Sequence, residues 1–335
     1  MRWVKATEAP IEINGLIDKY RRVPSSIADK CNENLKRFAD CSSGGRVRFA
    51  TDSGIIALRI ELERGVEFPQ FPLSCNMGAD LYVNGEFAAV FVPEDNSLVI
   101  EGKYHKYSFE FAARAEVMIH LPLINHVVSM EIGIDDNAHL FAPVPYKNEK
   151  PIVFYGSSIT HGIAASRPGN TYPARLSRIL ASDFINLGFG GGCRGEVEIA
   201  EYIASLDMRM LVMEYDHNAP TVVELEERHE RFFNIIRHAH PKLPVLFITK
   251  PDFLNDPQNN ALRRDVIYST YSRAQSGGDE NVWFLEGRWL YETDIPRDRT
   301  ADWIHPTDRG FEGFARVLEP IIKTILKIQQ KEEYR

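Results

Sequence analysis

Two short segments of the chain carry residue types that together could perform acyl transfer. The segment GSSITHG places Ser157 and Ser158 directly after an apolar run, and the segment DWIHP places Asp302 three residues before His305. At that spacing the carboxylate can orient Nδ1 of the imidazole while Nε2 accepts the proton of a hydroxyl group. A serine hydroxyl needs such a base at neutral pH. Serines at this position also cap helices, so the serine pair alone does not decide between the two roles.

A glycine-rich run, INLGFGGGCRGE at residues 185–196, allows two interpretations. Gly190, Gly192 and Gly195 satisfy the GxGxxG pattern that binds a dinucleotide, and Glu214 follows nineteen residues later, near the place of a ribose-binding acid. However, a strand-like and a helix-like segment precede the run, whereas a dinucleotide fold usually begins with it. We therefore favour the second interpretation, in which a backbone N–H of the run stabilises an oxyanion.

Apolar runs alternate with helix-like stretches through the C-terminal half. The runs are PIVFYG, DFINLG, MLVMEY, PVLFIT and NVWFLE. Because they are apolar on both faces and separated by helices, they predict a parallel sheet covered on both sides. Ligands of such sheets bind beyond the carboxyl ends of the strands, so the loops after the runs should meet there. These loops are GSSITHG, GFGGGCRGE, EYDHNAP and TKPDF, and DWIHPTDRGF precedes the final helix.

Residues 44–145 follow a different pattern, in which short alternating segments are separated by turn residues. The segments are RVRFAT, IIALRIEL, DLYVNGEFAAVFV, SLVIEG, YSFEFAA, AEVMIHLPL and VVSMEIGI. Asn84 and Gly85 form the strongest short hairpin signal. The pattern predicts an antiparallel β-sandwich. The polar segment 146–150 predicts a boundary, with an N-terminal β domain at residues 1–148 and a catalytic domain at residues 149–335.

Taken together, the C-terminal loops resemble the four sequence blocks of the SGNH, or GDSL-type, hydrolases. This is a family of serine esterases and acyltransferases with a three-layer, flavodoxin-like α/β fold. YGSSITHG resembles the first block, NLGFGGG the second, YDHNA the third and DWIHP the last. MGADLY, residues 77–82, is similar to the GxDLY signature of a small β domain that precedes some of these hydrolases. The resemblance spans roughly residues 20–328.

The resemblance implies catalytic roles for three residues. Ser158 stands at the position of the nucleophile, His305 at that of the base, and Asp302 at that of the acid that orients the base. The chain departs from the usual blocks at two places. Ser157 stands where the GDS triplet has an acid, and Asp216 and Ala219 stand where the third block usually has glycine and aspartate. Neither departure affects a position that the chemistry requires, although substrate shape and loop bracing would differ.

The resemblance also implies an oxyanion hole. Gly191 best matches the oxyanion glycine, with Gly190 and Gly192 one residue away in register, and Asn218 stands at the position of the oxyanion amide. The backbone N–H of Ser158 would be the third donor. These groups can converge because all three loops leave the same edge of the predicted sheet. Glycine suits the second position because a side chain would obstruct the approach of the backbone.

Four further residues lie beside these blocks and are expected near the substrate pocket. Arg194 and Glu196 follow the glycine run, where an arginine would favour polar or anionic substrate groups, although a solvated charge pair is an equal alternative. Trp303 could form a wall of the acyl or sugar site, with a core role as its alternative. His161 is expected to be structural or pocket-lining rather than the base, because His305 has a neighbouring acid.

We expect neither a cofactor nor a metal ion. Asp216 and His217 could ligate a metal together with Asp302 or His305, but successive residues at a strand end point in opposite directions. Cys193 lies beside the glycine run without a dedicated base, so a small buried residue is the simpler interpretation.

Composition and charge exclude several classes of protein. A composition of 44% hydrophobic and 26% charged residues is typical of a globular protein. A length of 335 residues favours two domains. A net charge of −8 without a basic stripe argues against nucleic acid as a partner. The chain begins without the apolar core of a signal peptide and has no run of about 18 apolar residues, so we predict a cytoplasmic protein without a membrane partner. The four cysteines show no CxxC spacing, which predicts reduced thiols.

The sequence thus predicts a serine carboxylic-ester hydrolase that forms an acyl-enzyme. Short acyl groups and O-acetylated carbohydrate are the preferred substrate class. Two alternatives stay open: an acyltransferase to a sugar or metabolite hydroxyl that uses the same residues, and a glycan-binding protein without activity, suggested by Ser157 and Asp216. An edge strand of the β domain could pair with a second copy, which would give a homo-oligomer.

Overall fold

The computed structural model describes residues 1–18, 20–94, 97–105, 114–291 and 296–333. Antiparallel strands build its N-terminal half, and a parallel sheet flanked by helices builds its C-terminal half. The predicted fold class, an antiparallel β-sandwich followed by a three-layer α/β hydrolase domain, is confirmed. The predicted strand YSFEFAA, residues 107–113, lies outside the described residues.

Two antiparallel sheets form the N-terminal half. Its described elements are β1 (Arg2–Lys5), β2 (Glu12–Asn14), α1 (Ser25–Ala28), α2 (Glu33–Ala39), β3 (Arg46–Thr51), β4 (Ile55–Leu62), α3 (Leu73–Met77), β5 (Ala79–Val83), β6 (Glu86–Phe91), β7 (Val99–His105), β8 (Ala115–His120), β9 (Val127–Ile134) and β10 (Leu140–Phe141). One sheet has the order β1-β9-β4-β7, and the other has the order β10-β3-β8-β5-β6, with β2 paired to β3. Alternation along β4 explains the sandwich, because Ile56, Leu58 and Ile60 are buried while Arg59 and Glu61 are exposed.

The hairpin expected at Asn84 and Gly85 connects β5 to β6. Asn84 has φ = 52° and Gly85 has φ = 86°. Positive φ at both central residues is the geometry of a type I′ turn, whose twist matches that of paired strands. The turn thereby fixes the register of β5, the strand that carries the GxDLY signature.

A five-stranded parallel sheet forms the centre of the C-terminal half. Its described elements are β11 (Asn148–Gly156), α4 (Ser158–His161), α5 (Tyr172–Leu180), β12 (Ser182–Gly188), α6 (Val197–Ala204), β13 (Met210–Glu214), α7 (Val222–Ala239), β14 (Val245–Ile248), α8 (Pro257–Ser276), β15 (Val282–Leu285) and α9 (Asp308–Glu333). The strand order is β12-β11-β13-β14-β15, as in flavodoxin-like folds. β12 pairs with one edge of β11, and the chain then crosses to the other edge of β11, where β13 pairs. The carboxyl ends of β11 and β13 therefore border the crevice where such folds bind ligands.

Two hydrophobic cores lie within the described residues. One fills the space between the two antiparallel sheets. The other covers the parallel sheet and also takes in residues from the N-terminal half, namely Val23, Ala28, Leu35, Phe38, Phe71 and Cys75 among others. Helices α1 and α2 therefore pack with the C-terminal half of the chain. The division after residue 148 stays a prediction.

In the described part of the chain, every helix is too short or too polar to cross a membrane.

Candidate active site

The turn between β11 and α4 carries both candidate serines. Ser157 Oγ accepts a hydrogen bond from the N–H of Ile159 at 3.1 Å, which makes Ser157 the helix cap. A Cβ at Gly156 would lie 2.6 Å from the carbonyl oxygen of Glu214, so the close packing of the two strands requires glycine there. Because Ser157 takes the capping role, the hydroxyl of Ser158 is free of it.

The imidazole of His305 lies between Ser158 and Asp302. Its Nε2 is 2.8 Å from Ser158 Oγ, and its Nδ1 is 2.7 Å from Asp302 Oδ2. Because a carboxylate only accepts, Nδ1 carries the ring proton and Nε2 accepts the proton of the serine hydroxyl. Burial raises the pKa of Asp302, but hydrogen bonds from the backbone N–H and the ring of His305 outweigh it and hold that pKa below its ordinary value. Asp302 is therefore a carboxylate at neutral pH.

The glycine run forms a tight turn beside Ser158. The N–H of Gly192 donates to the carbonyl of Phe189 at 2.9 Å, and Gly191 has φ = 65°, a combination typical of a type II turn. A Cβ at Gly190 would lie 3.6 Å from Cβ of Ser158, whereas one at Gly191 would have no atom of Ser158 within 4 Å. Gly190 and its peptide bond to Gly191 therefore border the space next to Ser158. Gly191 as the oxyanion glycine stays a prediction.

Asn218 ends a short turn after β13 and lies against the glycine turn. Its Nδ2 donates to the carbonyl of Phe189 at 3.0 Å, which leaves its second N–H unused. Within the described ranges, the N–H groups of Gly190 and Gly191 also have no hydrogen-bond acceptor. Loops at the carboxyl ends of β12 and β13 thus hold unused donors, and the glycine turn borders Ser158 at the end of β11. Such donors can stabilise the oxygen of a tetrahedral intermediate.

Two of the predicted pocket residues, Arg194 and Glu196, contact the glycine turn. The carboxylate of Glu196 accepts from the backbone N–H of Arg194 at 3.0 Å and from Nδ2 of Asn32. Asn32 Nδ2 also donates to the carbonyl of Gly192 at 2.7 Å, and Arg194 Nε donates to that of Gly191 at 3.4 Å. These contacts brace the turn from the side of α2. A substrate-binding role for either residue stays a prediction.

The other two predicted pocket residues, His161 and Trp303, have opposite environments. His161 is fully buried, and its Nε2 donates to the carbonyl of Leu123 at 2.7 Å. Burial holds the pKa of His161 well below its ordinary value, so the ring is neutral. Trp303 lies two residues before His305 and is 60% exposed, with the guanidinium of Arg297 4.4 Å from its ring. Of the two, only Trp303 is open to a ligand from solvent.

Glu214 is a buried acid beside Ser157, although its spacing from Gly195 suggested only a ribose-binding acid. Ser157 Oγ donates to its carboxylate at 2.9 Å, and Thr160 Oγ1 donates to it at 2.9 Å. Burial raises the pKa of Glu214 to about 7, although the two hydroxyls favour its charged form. A buried carboxyl group therefore lies beside Ser157, and it comes from the end of β13. Its signal in the sequence is an acid that ends an apolar strand.

Replacing Glu214 with glutamine is expected to change how stability depends on pH. The pKa of Glu214 is raised from 4.5 to about 7 on folding. Its neutral form therefore contributes stability that is fully present below pH 4.5 and is lost as the pH rises through 7. Glutamine cannot ionise, so the variant should gain about 3 kcal/mol relative to the native chain between about pH 5 and about pH 8.

Urea unfolding of both proteins at the two pH values measures this difference. Glu227→Gln, on the exposed face of α7, is a matched control that should show no comparable pH dependence. A stability difference between Glu214→Gln and the native chain that is the same at both pH values would contradict the prediction.

The groups considered for metal binding are paired with other partners. Asp216 Oδ2 accepts from the backbone N–H of Lys250 at 3.1 Å, and His217 Nε2 lies 3.0 Å from Asp252 Oδ1. Among the described residues, no three His, Cys, Asp or Glu side chains are grouped so that they could hold a metal ion. Burial raises the pKa of Cys193 well above its ordinary value, which leaves a neutral thiol beside the glycine turn.

Comparison with known families identifies both halves of the chain. The profile of the GDSL-like lipase/acylhydrolase family matches residues 149–323, more than half of the sequence. A profile of the N-terminus of SGNH-hydrolase-type esterases matches residues 1–140. The fold and the Ser158–His305–Asp302 arrangement are those of a serine esterase. The chain belongs to the GDSL-like lipase/acylhydrolase family.

Solved structures with this architecture cover nearly the whole chain. A protein from Bacteroides ovatus ATCC 8483, described as a GDSL-like lipase, is 28% identical with a TM-score of 0.87, over 97% of this chain and 98% of its own. The salicylyl-acyltransferase SsfX3 of a tetracycline biosynthetic pathway is 22% identical with a TM-score of 0.78, over 94% of both chains. An acetyl xylan esterase of Butyrivibrio proteoclasticus is 15% identical with a TM-score of 0.63, over 98% of this chain and 100% of its own. The last two show a shared fold. No curated protein sequence matches the chain.

Proposed function

We propose that this esterase hydrolyses short-chain acyl esters, with O-acetylated carbohydrate as the substrate class. The hydrogen-bonded chain from Ser158 through His305 to Asp302 carries the proposal. In the first step Ser158 Oγ attacks the ester carbonyl while His305 Nε2 takes its proton. His305 then gives that proton to the departing alcohol, which leaves an acyl-enzyme. Water attacks this intermediate with His305 as the base and releases the acid.

Asn218, the peptide joining Gly190 to Gly191, and the backbone N–H of Ser158 would bind the oxyanion. The second N–H of Asn218 and the N–H groups of Gly191 and Ser158 have no acceptor among the described residues, and they lie on fixed turns, so little reorganisation is needed when charge develops. Asp302 keeps its charge and stabilises the imidazolium that forms. We also propose the division of the chain into a β domain at residues 1–148 and a catalytic domain at residues 149–335.

The environment of Trp303 supports a sugar-containing substrate. Trp303 is exposed two residues before His305 in the chain, and its backbone has φ = 73°, which is rare for a bulky residue. Asn255 Nδ2 holds the carbonyl of Trp303 at 2.7 Å, so the strained conformation is fixed from outside the loop. An exposed indole on the loop that carries the proposed base offers an apolar face on which a pyranose ring can stack. The acetyl xylan esterase that shares the fold acts on an acetylated polysaccharide, which agrees with this substrate class.

Trp303→Ala should therefore weaken the binding of acetylated sugars. We expect KM for an O-acetylated xylo-oligosaccharide to rise about 3- to 10-fold, because a stacked ring contributes about 0.5–1.5 kcal/mol. The kcat/KM for p-nitrophenyl acetate should change less than about twofold, since that ester lacks a sugar. Steady-state kinetics of the two substrates measure both effects, and Trp303→Phe is the control that keeps an aromatic ring. Equal losses on both substrates would contradict a sugar-stacking role.

Acyl transfer is a second candidate, because the acyltransferase SsfX3 shares the architecture over 94% of both chains. A transferase would use the same residues and differ only in the acceptor of the acyl group. Product analysis with an acyl ester and a competing sugar alcohol separates the two reactions. Free acid as the main product supports hydrolysis, whereas acylated sugar at low acceptor concentration supports transfer.

A further inference from the structure

The GxDLY residues of β5 contact the catalytic half, and the proposed reaction does not use them directly. Asp80 is fully buried, and its Oδ2 accepts from Arg167 Nη1 at 2.5 Å and from the N–H of Gly169 at 2.9 Å. The hydroxyl of Tyr82 accepts from the same guanidinium nitrogen at 2.7 Å. The guanidinium of Arg167 also lies 3.8 Å from the ring of Phe87. Asp80 and Arg167 thus form an ion pair that joins the two halves of the chain.

Gly169 fits this contact because it has no side chain. A Cβ there would lie 2.7 Å from Asp80 Oδ2 and 2.7 Å from the hydroxyl of Tyr82, so the backbone approaches both groups too closely for any other residue. Arg178 of α5 donates to the carbonyl of Gly169 at 2.6 Å, and its guanidinium lies 4.4 Å from the ring of Tyr82. Asp80 and these two arginines therefore form one cluster of charged groups around the segment 166–170.

The same segment holds Asp308, the first residue of α9. Asp308 Oδ1 accepts from the N–H of Ser166 at 2.8 Å, and its Oδ2 accepts from Asn170 Nδ2 at 2.8 Å and from Ser166 Oγ. Asn170 Nδ2 also donates to Ser166 Oγ at 3.1 Å, so the contact is a closed network. Three donors on one carboxylate fix the position at which α9 begins.

His305 lies only three residues before Asp308, on a loop whose placement depends on such anchors. The N–H of Thr307 donates to the carbonyl of Arg299 at 2.8 Å, which closes the loop on itself. The ring of Phe71, from the N-terminal half, meets the imidazole of His305 edge-on with centroids 5.8 Å apart. Movement of Asp308 would therefore move the loop and carry His305 away from Ser158.

We propose that Asp80 is a positioning residue for the base of the reaction, acting through Arg167 and Gly169 on the segment 166–170 and through Asp308 on His305. This inference rests on the proposed roles of Ser158 and His305. In this arrangement the β domain is part of the machinery that aligns the proton-transfer step. A displacement of about 1 Å at a reacting group can cost about 10² in rate, so a small relaxation of this contact is sufficient to be measured.

Asp80→Asn and Asp308→Asn, made in the full chain, test the proposal. Each keeps the shape of the side chain, but Asp80→Asn loses the charge that pairs with Arg167, and Asp308→Asn loses one of the two acceptor oxygens. For p-nitrophenyl acetate we expect kcat to fall about 10- to 100-fold while KM changes less than about twofold. The rate at which a fluorophosphonate labels Ser158 should fall in parallel, because labelling requires the same base.

A double-mutant cycle shows whether the two residues act on one path. If they do, Asp80→Asn combined with Asp308→Asn should be about as slow as the slower single variant, because either change already releases the loop. If the reductions in kcat of the two single variants multiply in the double variant, Asp80 and Asp308 act independently and the proposal is overturned. If Asp308→Asn does not fold, Asn170→Ala takes its place, because it removes a single donor to Asp308.

The matched control is Asp135→Asn, the same substitution at another carboxylate of the β domain. Asp135 Oδ2 accepts from the N–H of Gly54 at 2.9 Å and from Ser53 Oγ at 3.1 Å, and it has no described contact with the segment 166–170. A lowered Tm with unchanged kcat in Asp80→Asn, or equal losses of kcat in Asp80→Asn and Asp135→Asn, would overturn the proposal. Ser158→Ala distinguishes failure of the proposed reaction from failure of the positioning role. If Ser158→Ala remains active, the proposed function fails. If Ser158→Ala is inactive while Asp80→Asn and Asp308→Asn keep the native kcat, only the positioning role fails.

Discussion

Ser158→Ala is expected to reduce kcat for p-nitrophenyl acetate by about 10⁴- to 10⁶-fold, the range typical for loss of a serine nucleophile. The reason is geometric. Ser158 Oγ is 2.8 Å from His305 Nε2, whereas the Ser157 hydroxyl donates to the carboxylate of Glu214. The alanine variant keeps the oxyanion donors and the binding surface, so a small residual rate above that of water should persist.

Ser157→Ala is the matched control for this prediction. It removes a helix cap and a partner of Glu214, so it should lower stability by about 1 kcal/mol. Turnover should stay within about tenfold of the native rate, because neither Ser158 nor His305 loses a hydrogen bond. The two variants are compared by steady-state kinetics and by labelling with a fluorophosphonate. Activity that survives in Ser158→Ala and disappears in Ser157→Ala would show that the wrong serine was assigned.

Asn218→Ala is expected to lower kcat by about 10²- to 10³-fold with little change in KM, because an oxyanion donor acts mainly in the transition state. One N–H of the Asn218 amide is committed to the carbonyl of Phe189, and the other is free to reach the oxyanion. Asn218→Asp should be at least as slow, because a carboxylate of the same shape donates nothing and repels the developing charge.

Asn34→Ala provides the control on the opposite side of the same glycine turn. Asn34 Nδ2 donates to the carbonyl of Gly191 at 3.4 Å, so its loss also removes a side-chain amide from the turn without removing a donor next to Ser158. We expect kcat of Asn34→Ala to stay within about threefold of the native value, since the turn keeps its contact with Asn32. Equal losses in Asn218→Ala and Asn34→Ala would mean that Asn218 only supports the turn.

The local contacts of this protein could be predicted from its amino-acid sequence. The hairpin at Asn84 and Gly85 follows from backbone preferences of two adjacent residues. The contact between Asp302 and His305 spans three residues, so it could be predicted from their spacing. Apolar runs that alternate with helices were sufficient to predict the parallel sheet, because burial on both faces leaves a continuous apolar pattern.

Which distant groups meet depends on the fold of the whole chain. Ser158 lies 147 residues from His305, and Ser157 lies 57 residues from Glu214. The family blocks predicted the first pair, but no spacing rule in one sequence could place the carboxylate of Glu214 beside Ser157. The ion pair of Asp80 and Arg167 spans 87 residues and depends on how the β domain packs against the segment 166–170. Such contacts follow from the packing of whole elements, so the local sequence holds the residue types and the fold decides their partners.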